Sequence, residues 1–375
     1  ALFVAERGTA TKEVVYVLER QGFIRPHMAD ENDKRTIYMV DMHEPLMFLH
    51  NLDTTIKEPF ASNPAVLDAV EKNHKKLQIA MTKLYPGNLV LSLSSGIMYH
   101  RLVDRITALN DVPREPLVPR RLGKNMCVPF GKILRGKVVP NTVTKTLHTD
   151  KVYEPDLNSF TIEPFPYYSP LKSQIETIKS FDRPVILVDD LVHTANRLQV
   201  LVPQLREDGI PIKKVVVGVL SGYGRDLMQC LKVPVESIYS MPNLRQWFVE
   251  STLYPFIGGD TVRREEMKVA GLQPSINMIL PYATPRLSGC SREALVEFSA
   301  CCIENSRDLF QVLEAEYRKM YAKNLTLSRL SEAVILPLCP DKGSCMEYDE
   351  NLAASVYLEN DLETLWRMKE FLIKG

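Results

Sequence analysis

Residues 184–197 read Pro184-Val-Ile-Leu-Val-Asp-Asp-Leu-Val-His-Thr-Ala-Asn-Arg197, an apolar run that ends in two adjacent carboxylates and a short polar turn. Val185 to Val188 lack the alternation of a half-exposed strand, so both faces should be covered, as in a parallel α/β sheet. The acids are then expected at the carboxyl end of the strand. In open α/β sheets that end is where ligands bind, and a helix starting just after it presents free backbone amides to an anion.

Downstream, Lys214-Val-Val-Val-Gly-Val-Leu220 is a second apolar strand, and Thr194 to Glu207 between them reads as a helix. Strand, helix and strand within about thirty residues make a βαβ unit. Pro203 lies inside that helix as a candidate kink, and Asp208-Gly209 closes it. Acids and a polar turn in such a unit suit a phosphorylated ribose.

The order of apolar strand, Asp189-Asp190, two apolar residues, a spacer and Thr194-Ala-Asn-Arg197 resembles the phosphoribosyl pyrophosphate motif of type I phosphoribosyltransferases. The resemblance implies that Asp189 and Asp190 hold the ribose hydroxyls, directly or through magnesium, and that Thr194, Ala195, Asn196 and Arg197 surround the 5′-phosphate. The family's loop usually reads Thr-Gly-Gly-Thr. Here Ala195 and Asn196 stand for the glycines and Arg197 for the second threonine. Asn tolerates left-handed backbone angles, and Arg binds phosphate bidentately.

The implied reaction builds oxocarbenium character at the anomeric carbon. It needs a rigidly held ribose, neutralised pyrophosphate charge and exclusion of water. Upstream, the strand after Gly87 ends in Ser94-Ser95-Gly96 before a helical pattern, and this turn fits the family's pyrophosphate loop on the same sheet. Between the two motifs lies a strand-poor basic segment with Arg120, Arg121, Lys124, Lys132, Arg135, Lys137, Lys145 and Lys151. Family members close a mobile loop there. Lys145 is the candidate catalytic cation within it, with His148 second.

The expected architecture is a doubly wound parallel α/β domain of phosphoribosyltransferase type at 61–262, with its recognisable part from about residue 85. A small α+β segment, 1–60, precedes it, and a mostly helical region, 263–375, follows. In the first segment Thr11 to Gln21 reads as a helix ended by Gly22-Phe23, and Thr36 to Met42 as a strand. That order also resembles the end of a GNAT-type acetyltransferase domain. With a start at Ala1, it would make the chain the downstream part of a longer multidomain polypeptide. Ser62-Asn-Pro caps a helix from Ala65.

From Ser291 the residues Leu295, Phe298, Cys302, Leu309, Leu313, Tyr317 and Met320 recur at helix spacing over about eight turns. This assigns Cys301 and Cys302 to core packing. A last helix is expected after Asn360, with Asp361 and Glu363 in its first turn. These helices suit an accessory cap, a homodimer surface or a support for the acceptor hood. Trp247, Phe248, Tyr254 and Phe256 are candidates to stack on an acceptor base, set against the commoner role of aromatics in a core. Ser221-Gly-Tyr-Gly224 reads as a flexible turn.

Composition narrows the alternatives. The 375 residues carry 46 basic and 46 acidic side chains, which argues against a nucleic-acid groove. No run of about eighteen apolar residues occurs, so no membrane span is expected. The 7 cysteines include no Cys-x-x-Cys pair, which points to a reduced, cytoplasmic setting. The 7 histidines lie at or before His193 and show no His-x-x-x-His spacing, so no zinc site is expected. A haloacid dehalogenase-type phosphatase would need Asp-x-Asp, which Asp189-Asp190-Leu191 does not supply. The rival reading is a non-catalytic phosphoribosyltransferase-fold module that senses a nucleotide or phosphoribosyl pyrophosphate. The altered loop favours that reading, whereas the second anion turn and Lys145 favour an enzyme of nucleotide metabolism.

Overall fold

The structure is a computed structural model that describes residues 2–6, 25–29, 35–39, 41–115, 121–134, 137–166, 168–264, 269, 271–285, 287, 289–342 and 347–374. The chain forms two compact units. One is continuous, Leu93–Leu244, and the other combines Ala1–Ser92 with Arg245–Gly375. The expected boundaries at 60 and 262 therefore do not match the division seen. The long helices on either side of the α/β segment pack with each other, so the outer segments form a single unit.

In chain order the first segment holds β1 (Leu2–Glu6), β2 (Arg25–Ala29), β3 (Arg35–Met39), β4 (Asp41–His50), α1 (Pro64–Leu84) and β5 (Asn88–Ser94). The continuous unit holds α2 (Ser95–Leu109), β6 (Met126–Pro129), β7 (Thr149–Tyr153), β8 (Phe160–Pro164), α3 (Leu171–Lys179), β9 (Val185–Val192), α4 (Asn196–Glu207), β10 (Ile212–Ser221), α5 (Gly222–Cys230) and β11 (Val235–Met241). After it come β12 (Gln246–Val249), α6 (Glu250–Leu253), β13 (Asp260–Val262), β14 (Gln273–Ile276), α7 (Arg292–Tyr321), β15 (Leu338–Pro340) and α8 (Ala354–Lys374).

The continuous unit is built on a parallel sheet of order β11-β10-β9-β6. Val215 pairs with Leu187, Val217 with Asp189, and Met126 with Val185. Val185 to Val188 are completely buried, as expected of a strand covered on both faces. Leu198, Leu201, Val202 and Leu205 of α4 and Ile175 and Ile178 of α3 join the same core. Pro203 stays inside α4 without ending it. Gly209, at φ +72°, ends it, with Ile210 N donating to Leu205 O at 2.9 Å.

The fold is α/β with a parallel sheet, and its described strands run in sequence order without a reversal. β5 was expected in it but belongs instead to a three-stranded sheet of order β12-β4-β5. β6, which the basic segment conceals, takes an edge position; its four residues are too few to show a period.

In the other unit Asn63 caps α1, its side chain accepting from Ala65 N at 2.9 Å and Val66 N at 3.3 Å. Asn73 of α1 and Asn305 of α7 exchange amide bonds with each other's backbone carbonyls at 2.7 and 3.1 Å, both side chains buried. The long helix expected from Ser291 is α7, capped by Ser291 Oγ. Burial pushes the Cys301 thiol up to about 12 and holds the Cys302 thiol well above its ordinary value, in keeping with packing roles. The last helix starts at Ala354 rather than after Asn360, so Asp361 lies in its interior, buried against the Tyr282 hydroxyl at 2.5 Å. The expected helix at Thr11 to Gln21 lies outside the described residues. The strand expected over Thr36 to Met42 is divided between β3 and β4. Among the described residues no helix is long and apolar enough to cross a membrane.

Candidate functional site

β9 carries both acids and continues to Val192, so Asp189 and Asp190 lie within the strand rather than after it. Strand alternation turns their side chains to opposite faces. Asp189 is 4 % exposed, Asp190 half-buried. Asp189 Oδ1 accepts from Asp190 N at 2.9 Å, and Asp190 Oδ1 accepts from Leu191 N at 2.8 Å. Burial, and then the neighbouring Asp190 charge, hold the Asp189 carboxyl well above the usual carboxylate range. Arg197 opposes this, with Nη1 3.9 Å from Asp189 Oδ2. Gly131 makes room for this carboxylate, since a β-carbon there would lie 1.5 Å from Oδ1.

The polar turn after β9 is short. Ala195 takes the left-handed conformation at φ 51°, and Asn196 is already helical. The tolerance expected of Asn196 is thus not what the turn uses. Asn196 Nδ2 donates to Thr194 Oγ1 at 2.9 Å, which ties the turn together. Ala195 has no side-chain acceptor for the first amides of α4, so this twelve-residue helix begins without a side-chain cap. Arg197 stands in that first turn, its Nε buried without a hydrogen-bond partner.

The neighbouring strand ends similarly. Ser221 Oγ accepts from Gly224 N at 2.9 Å and lies 2.8 Å from His193 Nδ1. With the oxygen already accepting, its O–H is free to donate to the imidazole, and burial holds the His193 pKa below its ordinary value. Ser221-Gly-Tyr-Gly224 is therefore the capped start of α5 and not a flexible turn. A β-carbon on Gly224 would come 2.2 Å from Val192 O, and one on Gly222 2.5 Å from Pro242 O.

Ser94, Ser95 and Gly96 start α2, with Ser94 exposed and Ser95 6 % exposed. They follow a strand of another sheet, contrary to expectation, but Gly218 of β10 brings their helix towards the acids. A β-carbon on Gly218 would sit 2.2 Å from Met98 Sδ and 2.7 Å from Asp190 O. The first turn of α2 and the backbone of Asp190 thus meet over one glycine.

Lys145 lies on a segment fastened beside β6 rather than on a free loop. Cys127 N donates to Val143 O at 2.8 Å, Lys145 N to Cys127 O at 3.0 Å, and Leu147 N to Pro129 O at 2.8 Å. His148 follows, its ring stacked on Tyr168 at 3.7 Å between centroids and its backbone N–H donating to Gln174 Oε1 at 2.7 Å. Arg120 and Arg135 lie outside the described residues. Tyr254 and Phe256 have no exposed surface and Phe248 only 7 %, so they serve the core rather than an acceptor base.

The other unit gathers a set of residues that spacing did not reveal. His50, His74 and Glu250 each offer one potential ligand atom, and these atoms lie within 4.8 Å of one another. The expectation of no zinc site rested on His-x-x-x-His spacing, which this set does not use. Intervals of 24 and 176 residues hide the set from any motif, and the only sequence signal was a histidine on the inward stripe of α1.

No family model matches the chain, and no curated protein matches it in sequence. Among solved structures, the chain is similar to a purine phosphoribosyltransferase from Pyrococcus horikoshii Ot3, at 15% identity and a TM-score of 0.24. That similarity covers 41% of this chain and 86% of the other. The acetyltransferase resemblance of the first residues finds no support in these matches, and a likeness this slight leaves the function to be argued from the site itself.

Proposed function

We propose that the unit Leu93–Leu244 binds phosphoribosyl pyrophosphate with magnesium and transfers the phosphoribosyl group to or from a nitrogenous acceptor. The observation that carries this reading is the sequence of groups along one turn: Asp189 and Asp190 on a central parallel strand, left-handed Ala195, and the uncapped start of α4 with Arg197 in its first turn. Free helix amides and a guanidinium suit a 5′-phosphate. Asp190, half-buried and on the opposite face of the strand from Asp189, suits the ribose diol. It also fits magnesium, a hard cation that binds through as few as one carboxylate together with substrate phosphates and water. Asp190 would hold the ion, which would supply neutralisation of pyrophosphate charge. The first turn of α2, meeting Asp190 at Gly218, is the natural second anion turn. Lys145 is the proposed cation for the leaving group.

Calorimetry with phosphoribosyl pyrophosphate and magnesium tests binding. Wild type should release heat, and Asp190→Asn and Arg197→Ala should each weaken binding at least about tenfold, the scale of one charge-assisted contact. No binding by wild type would refute the site. The sensor reading draws on the buried, Arg197-facing Asp189 carboxyl, which is poorly placed to meet ribose directly. Binding without pyrophosphate release across a panel of nitrogenous bases would select the sensor.

A further inference from the structure

We propose that His50, His74 and Glu250 bind one divalent transition-metal ion of the zinc class, in the unit that does not contain the paired aspartates. The register of the β12-β4 pair explains the first half of the set. Val249 pairs with Leu49, so the next residues along the two parallel strands, Glu250 and His50, emerge side by side. The second half comes from α1, which passes His74 and Gln78 on one face, a turn apart. Glu250 Oε2 lies 3.3 Å from His50 Nδ1 and 2.6 Å from His74 Nε2, and the two imidazoles are 4.1 Å apart between centroids.

Two features separate this set from an ordinary ion pair. Glu250 has no exposed surface, and the groups facing its carboxylate are the two imidazoles and the Tyr254 hydroxyl, which donates to Oε1 at 3.2 Å. A divalent ion at this position would compensate the buried carboxylate and take a lone pair from each imidazole at once. His74 Nε2 is sealed from solvent, yet forms no hydrogen bond of acceptable geometry, although Glu250 is 2.6 Å away.

The surroundings hold the ligands as an ion requires. His50 Nε2 meets Ser92 Oγ, which can take its proton and leave Nδ1 as the ligand atom, while Gln78 Nε2 donates to the same Ser92 Oγ at 2.8 Å. Tyr254, which steadies Glu250, accepts in turn from Asn305 Nδ2 at 3.0 Å. Two nitrogens and one carboxylate oxygen are the donors that zinc takes, at about 2.0–2.2 Å, with a fourth position left for water or an outside ligand. Tetrahedral ligands at that distance stand about 3.3 Å from one another. The His50–Glu250 spacing already meets this, and His74 must withdraw by less than about 1 Å.

The test uses the full-length, untagged protein, stripped by chelation and dialysed against zinc or cobalt alone. Wild type should retain one equivalent, give the visible spectrum of tetrahedral cobalt with nitrogen and oxygen ligands, and melt at a higher temperature with metal than without. His74→Gln and His50→Gln should each lose at least tenfold in affinity and the metal-dependent rise in melting. Wild type that keeps no stoichiometric ion, or variants that bind as well as wild type, would overturn the proposal. Should the variants not fold, anomalous scattering at the zinc edge from wild-type crystals decides. A peak between the three side chains upholds it, and a peak elsewhere or none overturns it.

Discussion

The carboxylate of Asp189 lies against the α-carbon of Gly131, so close that a β-carbon on residue 131 would overlap Oδ1 at 1.5 Å. The glycine two residues past β6 thus decides where the acid of β9 can go. Gly131→Ala should force the carboxylate away from Arg197 and cost about 1–3 kcal/mol, the usual range for overpacking. Urea denaturation measures the loss, and the same variant should lose phosphoribosyl pyrophosphate binding by calorimetry. Retention of both would show that β6 yields easily.

Asp189 also predicts a pH dependence. Its folded pKa is raised, so between its ordinary value near pH 4 and the raised one the folded state binds more protons than the unfolded state. Stability from this group therefore falls as pH rises through that window and is not penalised below it. Asp189→Asn removes the titration and should be more stable than wild type at pH 7, with the gain fading towards about pH 4. Paired melts across that range check it. A variant less stable than wild type at neutral pH would mean that the carboxylate is ionised and held by Arg197.

Ala195 sits at φ 51°, where a β-carbon costs about 1–2 kcal/mol. Ala195→Gly removes that cost, but it also gives up a buried methyl worth about 0.8 kcal/mol and loosens the unfolded chain by about 0.4–1 kcal/mol. The sum is near zero, so Ala195→Gly should lie within about 0.5 kcal/mol of wild type. Ala195→Val, which is β-branched, should lose about 1–3 kcal/mol. Phosphate binding should survive the first change, because glycine adopts the same left-handed conformation and leaves the amides of the turn in place.

Asn305→Ala should be among the more damaging changes in the helical unit. It leaves the carbonyl of Asn73 without its 3.1 Å donor and the Tyr254 hydroxyl without its 3.0 Å donor, both buried. Each group keeps another partner, the hydroxyl Glu250 and the carbonyl its helix amide, so the loss of two ordinary hydrogen bonds should cost about 1–3 kcal/mol by chemical denaturation. If the metal proposal holds, the variant should also bind zinc more weakly, because Tyr254 then fixes Glu250 less well.

What could be read from the sequence followed from how local the cause was. Val185 to Val188, the helix after Thr194, Val215 to Val219 and the long helix from Ser291 are each specified by a continuous pattern, and each forms. Met126 to Pro129 is not legible, because four buried residues among cations show no period and their strand character comes from Val185 to Val188 alongside. Asn88 to Ser94 reads as a strand but its sheet does not, since an apolar run does not name its partner. Glu250 next to His50 is a product of strand register across 200 residues, which no spacing rule contains.

The discontinuous unit has a consequence for synthesis. Leu46, Met47 and Phe48 of β4 have no exposed surface in the folded protein, and their strand partner is Gln246–Val249. A ribosome must make the whole of Leu93–Leu244 between the two. During that interval an apolar strand edge stands unpaired on a nascent chain, while the acid-bearing unit already has everything it needs to fold. Slow elongation through that stretch should favour aggregation or chaperone capture at β4, and the parallel sheet around Asp189 should be native before the pocket of His50, His74 and Glu250 can exist.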